Sequence, residues 1–357
     1  MLKKYKENQK YLVVIGFISV AVYLISQSLS NDQTVPYSKM MLEAAQIMEQ
    51  MTTKIQQARI EAGLDINLIM DPNQTGLIGP EQGDLTTSLG HLQAKRTSTN
   101  PNIASLLVYL FKKAGIEKGD TIAIGASASF PALLVATLSA CKAMEVAPVA
   151  MISLGASSHG ATDSQFNLLD IYQILYKEQV VYQMPAVISL GGEDDFGAEF
   201  TDSVKKYLLQ QIHNSGSHFI NQKNLRKNVQ ERIKIYGDQK ISCFVNIGGS
   251  EANLGESPLV LHVKPGLNTR LKIPDTSERG VLFEMAAHSI PIIHLLYIKG
   301  LVLQYGLPWD PAPLPKPGEN PISNSHRPWN IPLFILTLLY FTTLSTLFSI
   351  QKQKNKK

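Results

Sequence analysis

Five loops carry residues that could act on a ligand or substrate. Gly125-Ala126-Ser127-Ala128-Ser129-Phe130-Pro131 follows an apolar run and opens a helical one. Its backbone amides, with a helix dipole behind them, would suit a carboxylate or phosphate. Gly125-x-Ser127 also has the form of a nucleophile elbow, but Ser129 stands where the elbow wants glycine. A helix N-cap at Ser127 or Ser129 accounts for the same residues without chemistry. Leu154-Gly155-Ala156-Ser157-Ser158-His159-Gly160 repeats the pattern and adds an imidazole able to serve as base or donor. Gly191-Gly192-Glu193-Asp194-Asp195 is acidic. Adjacent carboxylates need solvent or a hard cation, yet the spacing is not that of an EF-hand. Gly248-Gly249-Ser250-Glu251-Ala252-Asn253 is a fourth strand-end loop.

The fifth loop is basic. Lys95 and Arg96 stand beside Thr97, Ser98 and Thr99, ahead of Asn100-Pro101. The two cations could clamp a carboxylate, and Thr99 or Asn100 with Pro101 would start a helix. The expected ligand-binding set is therefore Lys95, Arg96, Thr97, Ser98, Gly125, Ser127, Ser129, Gly155, Ser157, Gly248 and Gly249. Any nucleophilic chemistry would fall to Ser127 with His159, helped by an acid such as Asp163 or Asp195. His288 and His294 flank Pro291 in an apolar stretch and read as core histidines. No Cys/His cluster has zinc spacing, and neither a Walker loop nor Gly-x-Gly-x-x-Gly occurs, so no metal or cofactor is expected.

The elements that must position these loops alternate along the chain. Apolar runs at 121–125, 148–154, 186–190 and 241–247 each end near glycine. Helical patterns fill 103–114, 130–143, 164–176, 202–215 and 225–236. Continuous rather than alternating apolar strands suit a mainly parallel sheet buried on both faces, a Rossmann-like α/β layering. In such a sheet the loops converge on the carboxyl edge, where ligands bind. Residues 37–62 carry Met41, Ala44, Met48, Met51, Ile55, Ala58 and Ala62 at spacings of three and four. That stripe would pack on its own domain or pair with a partner helix as a stalk. Pro308–Pro321 holds six prolines and reads as a stiff extended spacer.

Composition narrows the class. The chain has 357 residues, 44% apolar and only 17% charged, which excludes disorder as the main state. The low charge traces to two uncharged runs, 11–30 and 331–350, each long enough for a membrane-spanning helix. Lysines at 3, 4, 6 and 10 and at 352, 354, 356 and 357 flank them on their outer sides. By the positive-inside rule both termini would be cytoplasmic and the main domain extracytoplasmic. The expected order is a basic tail (1–10), a span (11–30), an amphipathic entry segment (31–100), an α/β domain (101–307), a Pro-rich tether (308–330), a span (331–350) and a second basic tail (351–357). The net charge of +4 is a property of the tails, which hold +3 and +4, so the rest is −3. A mildly acidic domain argues against nucleic acid as a partner. Cys141 and Cys243 sit in buried-looking contexts and read as inert thiols, though an oxidising compartment would allow them to pair.

Five stretches resemble one bacterial family. LQAKRTSTNPN (92–102), KGDTIAIGASASFPAL (118–133), SLGASSHGA (153–161), SLGGEDDFG (189–197) and HLLYIKGLVLQYGLPWDPAPLP (294–315) are similar to the poly-gamma-glutamate system protein family. The resemblance covers most of the α/β region and implies a membrane-anchored accessory of poly-γ-glutamate synthesis, export or capsule anchoring. Its partners would be the membrane, the polymer and synthase or export subunits. It carries no catalytic residues with it. A serine-dependent amide hydrolase or transferase acting on the polymer is the alternative, and a clamp on the membrane synthase through residues 37–62 and the two spans, with the sheet as scaffold, is a third.

Overall fold

The four apolar runs with β-branched residues do become buried parallel strands. The computed structural model describes residues 2–29, 33–237, 239–325 and 331–356. Helix α1 (Leu2–Leu29) and strand β1 (Gln33–Thr34) precede α2 (Ser38–Glu61), β2 (Thr86–Ser88), α3 (Leu92–Ser98) and α4 (Asn102–Lys113). There follow β3 (Thr121–Ser127), α5 (Pro131–Met144), β4 (Ala147–Ser153), β5 (Ala156–Ser157), α6 (Leu168–Lys177), β6 (Val187–Ser189) and α7 (Asp202–Ser215). Next come β7 (His218–Phe219), α8 (Leu225–Gly237), β8 (Ile241–Ile247), α9 (Glu251–Leu254), β9 (Gly266–Asn268) and α10 (Val281–Ala287). The last elements are β10 (Ile292–Leu295), α11 (Ile298–Gln304), β11 (Asn324–Ser325) and α12 (Ile331–Lys356). The chain divides into two units, Pro36–Ser323 and the paired ends Met1–Val35 with Asn324–Lys357.

Within Pro36–Ser323, seven strands form one sheet in the order β7-β6-β4-β3-β8-β10-β9. Every neighbouring pair is parallel except β9 on β10 at one edge. From β3 the chain builds outward through β4, β6 and β7. It then returns to the other side of β3 with β8 and β10. Strand order therefore reverses between β3 and β8, where α/β sheets open a crevice at their carboxyl ends. Ile122, Ala123 and Ile124 of β3 are fully buried, as are Phe244 and Val245 of β8, so neither face of the sheet centre meets water.

Helix α5 is the central cover. Pro131 starts it, and of its residues only Lys142 is not buried. Its uniformly apolar surface needs partners on all sides, and α2 and α4 supply them. The Met41–Ile55 stripe of α2 faces this layer, with Met41, Met48 and Ile55 completely buried. The methionine stripe is thus spent inside its own domain, not on a stalk.

Two expectations change. Among the described residues, no helix is long and apolar enough to cross a membrane. The two transmembrane helices are therefore overturned. The membrane as a partner, the cytoplasmic termini and the extracytoplasmic placement lose their basis with them. The Pro-rich stretch is likewise no free spacer. Asn73 Nδ2 donates to Pro311 O at 2.9 Å, the Asp310 N–H donates to Thr97 Oγ1 at 2.8 Å, and Asn102 Nδ2 donates to Lys316 O at 2.9 Å. A segment without most of its own amide donors is held by side chains from the domain beneath it.

Candidate functional site

The carboxyl ends of β3, β4, β6 and β8 surround one cavity of about 470 Å³. Ser127, Ser129, Ser153 and Ser157 give it a hydroxyl floor, while Gly155, Gly191, Gly192 and Gly249 bring backbone to its wall. Glu193, Glu199 and Glu251 stand at its acidic side. Of the expected ligand-binding set, Ser127, Ser129, Gly155, Ser157 and Gly249 line this space. Gly248 lies just behind it. Its φ is +79°, and a Cβ there would come within 2.3 Å of Ser127 Oγ. Gly125 sits within β3 against Asn253, where a Cβ would stand 2.6 Å from Oδ1.

The basic loop divides. Lys95 and Arg96 are consecutive on the short helix α3, so they point about 100° apart. Arg96 turns toward the Pro-rich segment and forms a two-pronged ion pair with Asp310. Thr97 donates to Gln93 O at 2.7 Å and Ser98 to Lys95 O at 2.6 Å, so both hydroxyls serve the helix. Arg96, Thr97 and Ser98 are absent from the cavity lining.

Lys95 turns inward and is only 2% exposed. Its Nζ donates to the Ser129 main-chain oxygen, lies 2.7 Å from Ser157 Oγ, and sits 3.7 Å from the centre of the Phe130 ring. No carboxylate is among these partners, so burial alone governs its charge. Desolvation pushes its pKa from 10.5 down to about 7. Ser157 is fixed from two further directions. Its N–H donates to Ser129 Oγ at 2.9 Å, and β5 runs parallel to β2 with Ser157 opposite Ser88. A serine hydroxyl thus meets an amine that is half neutral near pH 7, the pairing that activates a serine nucleophile without histidine.

The expected Ser127–His159 pair is not assembled. Among the described residues, Ser127 Oγ is buried without a hydrogen-bond partner, and so is His159 Nδ1. His159 takes φ +64° and donates its backbone N–H to Pro80 O at 3.1 Å. Burial holds its pKa below the ordinary value. Among the described residues neither acid hydrogen-bonds to it. Asp163 Oδ1 accepts from the Gln165 N–H, and Asp195 belongs to a buried ion pair.

That ion pair is the feature the sequence concealed. Arg232 donates to Asp195 Oδ2 at 2.6 Å, with both side chains 1% exposed. Asp195 Oδ1 accepts from Ser153 and Ser189 at 2.9 and 2.8 Å, and Asn228 Nδ2 donates to Oδ2 at 3.1 Å. Arg232 also donates to Ser189 Oγ and Asn228 Oδ1, each at 2.8 Å. Every member is satisfied, which a buried charge requires. The network ties the ends of β4 and β6 and the 191–197 loop to α8. Asn228 and Arg232, one turn apart on that helix, were the only sequence signal for it.

On the acidic side, Glu199 Oε1 accepts from the Glu193 N–H at 3.1 Å and Glu251 Oε2 from the Asp194 N–H at 2.8 Å. Burial pushes the Glu251 carboxyl upward, and Asp194, Glu193 and Glu199 push the same way against the Asp194 hydrogen bond. Among the described residues, no group of three or more His, Cys, Asp or Glu side chains is arranged to hold a metal ion. His294 on β10 is buried, hydrogen-bonded to Asn246 at 3.0 Å and held down to a pKa of about 4 by desolvation. His288 is exposed at the end of α10 and is not a core histidine. No family model, curated protein or solved structure matches this chain.

Proposed function

We propose that the α/β domain is a serine-dependent acyl-transfer enzyme that cleaves an amide or ester. Ser157 Oγ attacks the acyl carbon while its proton passes to Lys95 Nζ. The C–N or C–O bond breaks, Lys95 returns the proton to the leaving amine or alcohol, and water or a second amine releases the acyl group from Ser157. The observation that carries this reading is the 2.7 Å contact between Ser157 Oγ and a buried lysine whose proton is lost near pH 7. Support for γ-glutamyl amides as the bonds involved comes from the five stretches similar to the poly-gamma-glutamate system protein family. In that setting the enzyme trims or attaches the polymer.

One observation favours a second reading. The Ser127 and Ser250 hydroxyls line the cavity with no partner among the described residues. In a non-enzymatic accessory they would hold a polymer segment or a synthase subunit for export. An uncharged fluorophosphonate probe separates the two. Labelling of Ser157, located by peptide mass spectrometry and lost in both Ser157→Ala and Lys95→Met, supports the enzyme. A folded protein that resists labelling from pH 6 to 9 yet binds γ-glutamyl oligomers in calorimetry supports the accessory.

A further inference from the structure

We propose that the cavity selects a substrate whose acyl group, presented to Ser157, bears a primary ammonium group, an inference that rests on the acyl-transfer reading. Among the described residues, the charged ones lining the cavity are Glu193, Glu199 and Glu251, and no Lys, Arg or His lines it. Lys95 lies behind the wall, its amino group occupied by Ser129 and Ser157. The carboxylates are held in place. Glu199 and Glu251 each accept a backbone N–H from the 193–194 turn. Glu199 also lies so close to Gly192 that a Cβ there would stand 2.1 Å from Oε2. Any side chain at 192 would displace that carboxylate.

A second, independent feature points to a ligand. Ser127 is 4% exposed, lines the same cavity, and has an Oγ with no partner among the described residues. A buried hydroxyl left unsatisfied is costly unless something arrives to meet it. An ammonium offers three N–H donors and a positive charge. One donor satisfies Ser127, and the charge answers carboxylates that otherwise repel one another. A run of γ-glutamyl residues, with a carboxylate on each unit, meets repulsion from all three glutamates. Of a γ-glutamyl chain, only the amino-terminal end carries the required group. An amine acceptor would dock there as the same ammonium and pass one proton to a cavity carboxylate before its nitrogen attacks the acyl carbon on Ser157.

The test pairs substrates that differ only in that charge. Purified full-length protein is assayed with p-nitrophenyl esters of an aminoacyl group carrying a free amine, an N-acetyl or an N-succinyl cap. The free amine is expected to exceed the N-acetyl ester in kcat/KM by at least about tenfold, with the anionic N-succinyl ester slowest. In Glu199→Gln and Glu251→Gln the ratio falls toward one. Oligo-γ-glutamate with a free or acetylated amino terminus identifies the chain end as the source. Competition by simple alkylamines for acyl release identifies an acceptor amine. Binding is measured separately by calorimetry in Ser157→Ala with the corresponding aminoacyl and N-acetyl amides, so an inactive protein still answers the question. Equal affinity for the two amides, or preference for the anionic ester, overturns the inference. Ser157 labelled by the uncharged phosphonate with no charge preference leaves the acyl-transfer reading standing. An unlabelled Ser157 with amine-selective binding does the reverse.

Discussion

Replacing Lys95 with methionine should reveal its proton through stability. The substitution keeps an unbranched chain over Phe130 and removes the titrating group. The folded amino group holds its proton only to about pH 7, whereas the unfolded chain holds it to the ordinary 10.5. Between those values the unfolded state binds more protons, so this group makes the protein more stable as pH rises. Below about 7 both states are protonated and its contribution is flat. At pH 6.5 its penalty is larger than at pH 9.5 by about 3 kcal/mol, from 1.36 kcal/mol per pH unit across the overlapping window. Urea unfolding of both proteins at the two pH values isolates the term, because other groups cancel in the difference. Lys95→Met should therefore gain about 3 kcal/mol relative to the parent on going from pH 9.5 to 6.5. A pH-independent difference would mean that Lys95 keeps an ordinary pKa and is charged at neutrality. It could then not take the Ser157 proton, and the proposed mechanism would be refuted.

Three other outcomes follow from packing and charge. Arg232→Met leaves the Asp195 carboxylate buried without its cation and should cost about 3–5 kcal/mol in denaturant titrations. Arg232→Met combined with Asp195→Leu should recover part of that loss. Gly248→Ala forces a Cβ to 2.3 Å from Ser127 Oγ at a φ of +79°. It should lower stability by about 1–3 kcal/mol, and the melting temperature with it, while displacing Ser127 from the cavity. Met48→Ala should cost about 2–5 kcal/mol, since Met48 is wholly buried between α2 and its neighbours. Met48→Lys should abolish soluble expression rather than release a partner.

The central sheet was legible because parallel strands buried on both faces leave continuous apolar runs. Strands β3, β4, β6 and β8 fall where those runs lie. Strand β10 was missed because Pro291 adjoins it and His294 lies within it, which broke the apolar pattern at Ile292–Leu295. The strand-end loops were legible as a convergent edge, since glycine and serine mark sharp exits from a parallel sheet. The pairing of Lys95 with Ser157 was not, because it depends on β2 and β5 aligning across a long separation. Arg232 reads as solvated in the charged sequence LRKNVQERIKIYG, and only the facing Asp195 draws it inside. The terminal apolar runs read as spans by their lack of charge, yet among the described residues no helix is long and apolar enough to cross a membrane.

The pairing of β1 with β11 sets Thr34 opposite Asn324. The chain therefore enters and leaves the stretch 36–323 at one place, as a cord enters and leaves a drawn purse. A permuted chain could start at any exposed loop and join these two ends with a short linker. Tension on the two ends would have to part α1 from α12 as well as the antiparallel β1–β11 pair, whose strands are gripped at the same end. Force would thus reach the parallel sheet only after that clasp had parted.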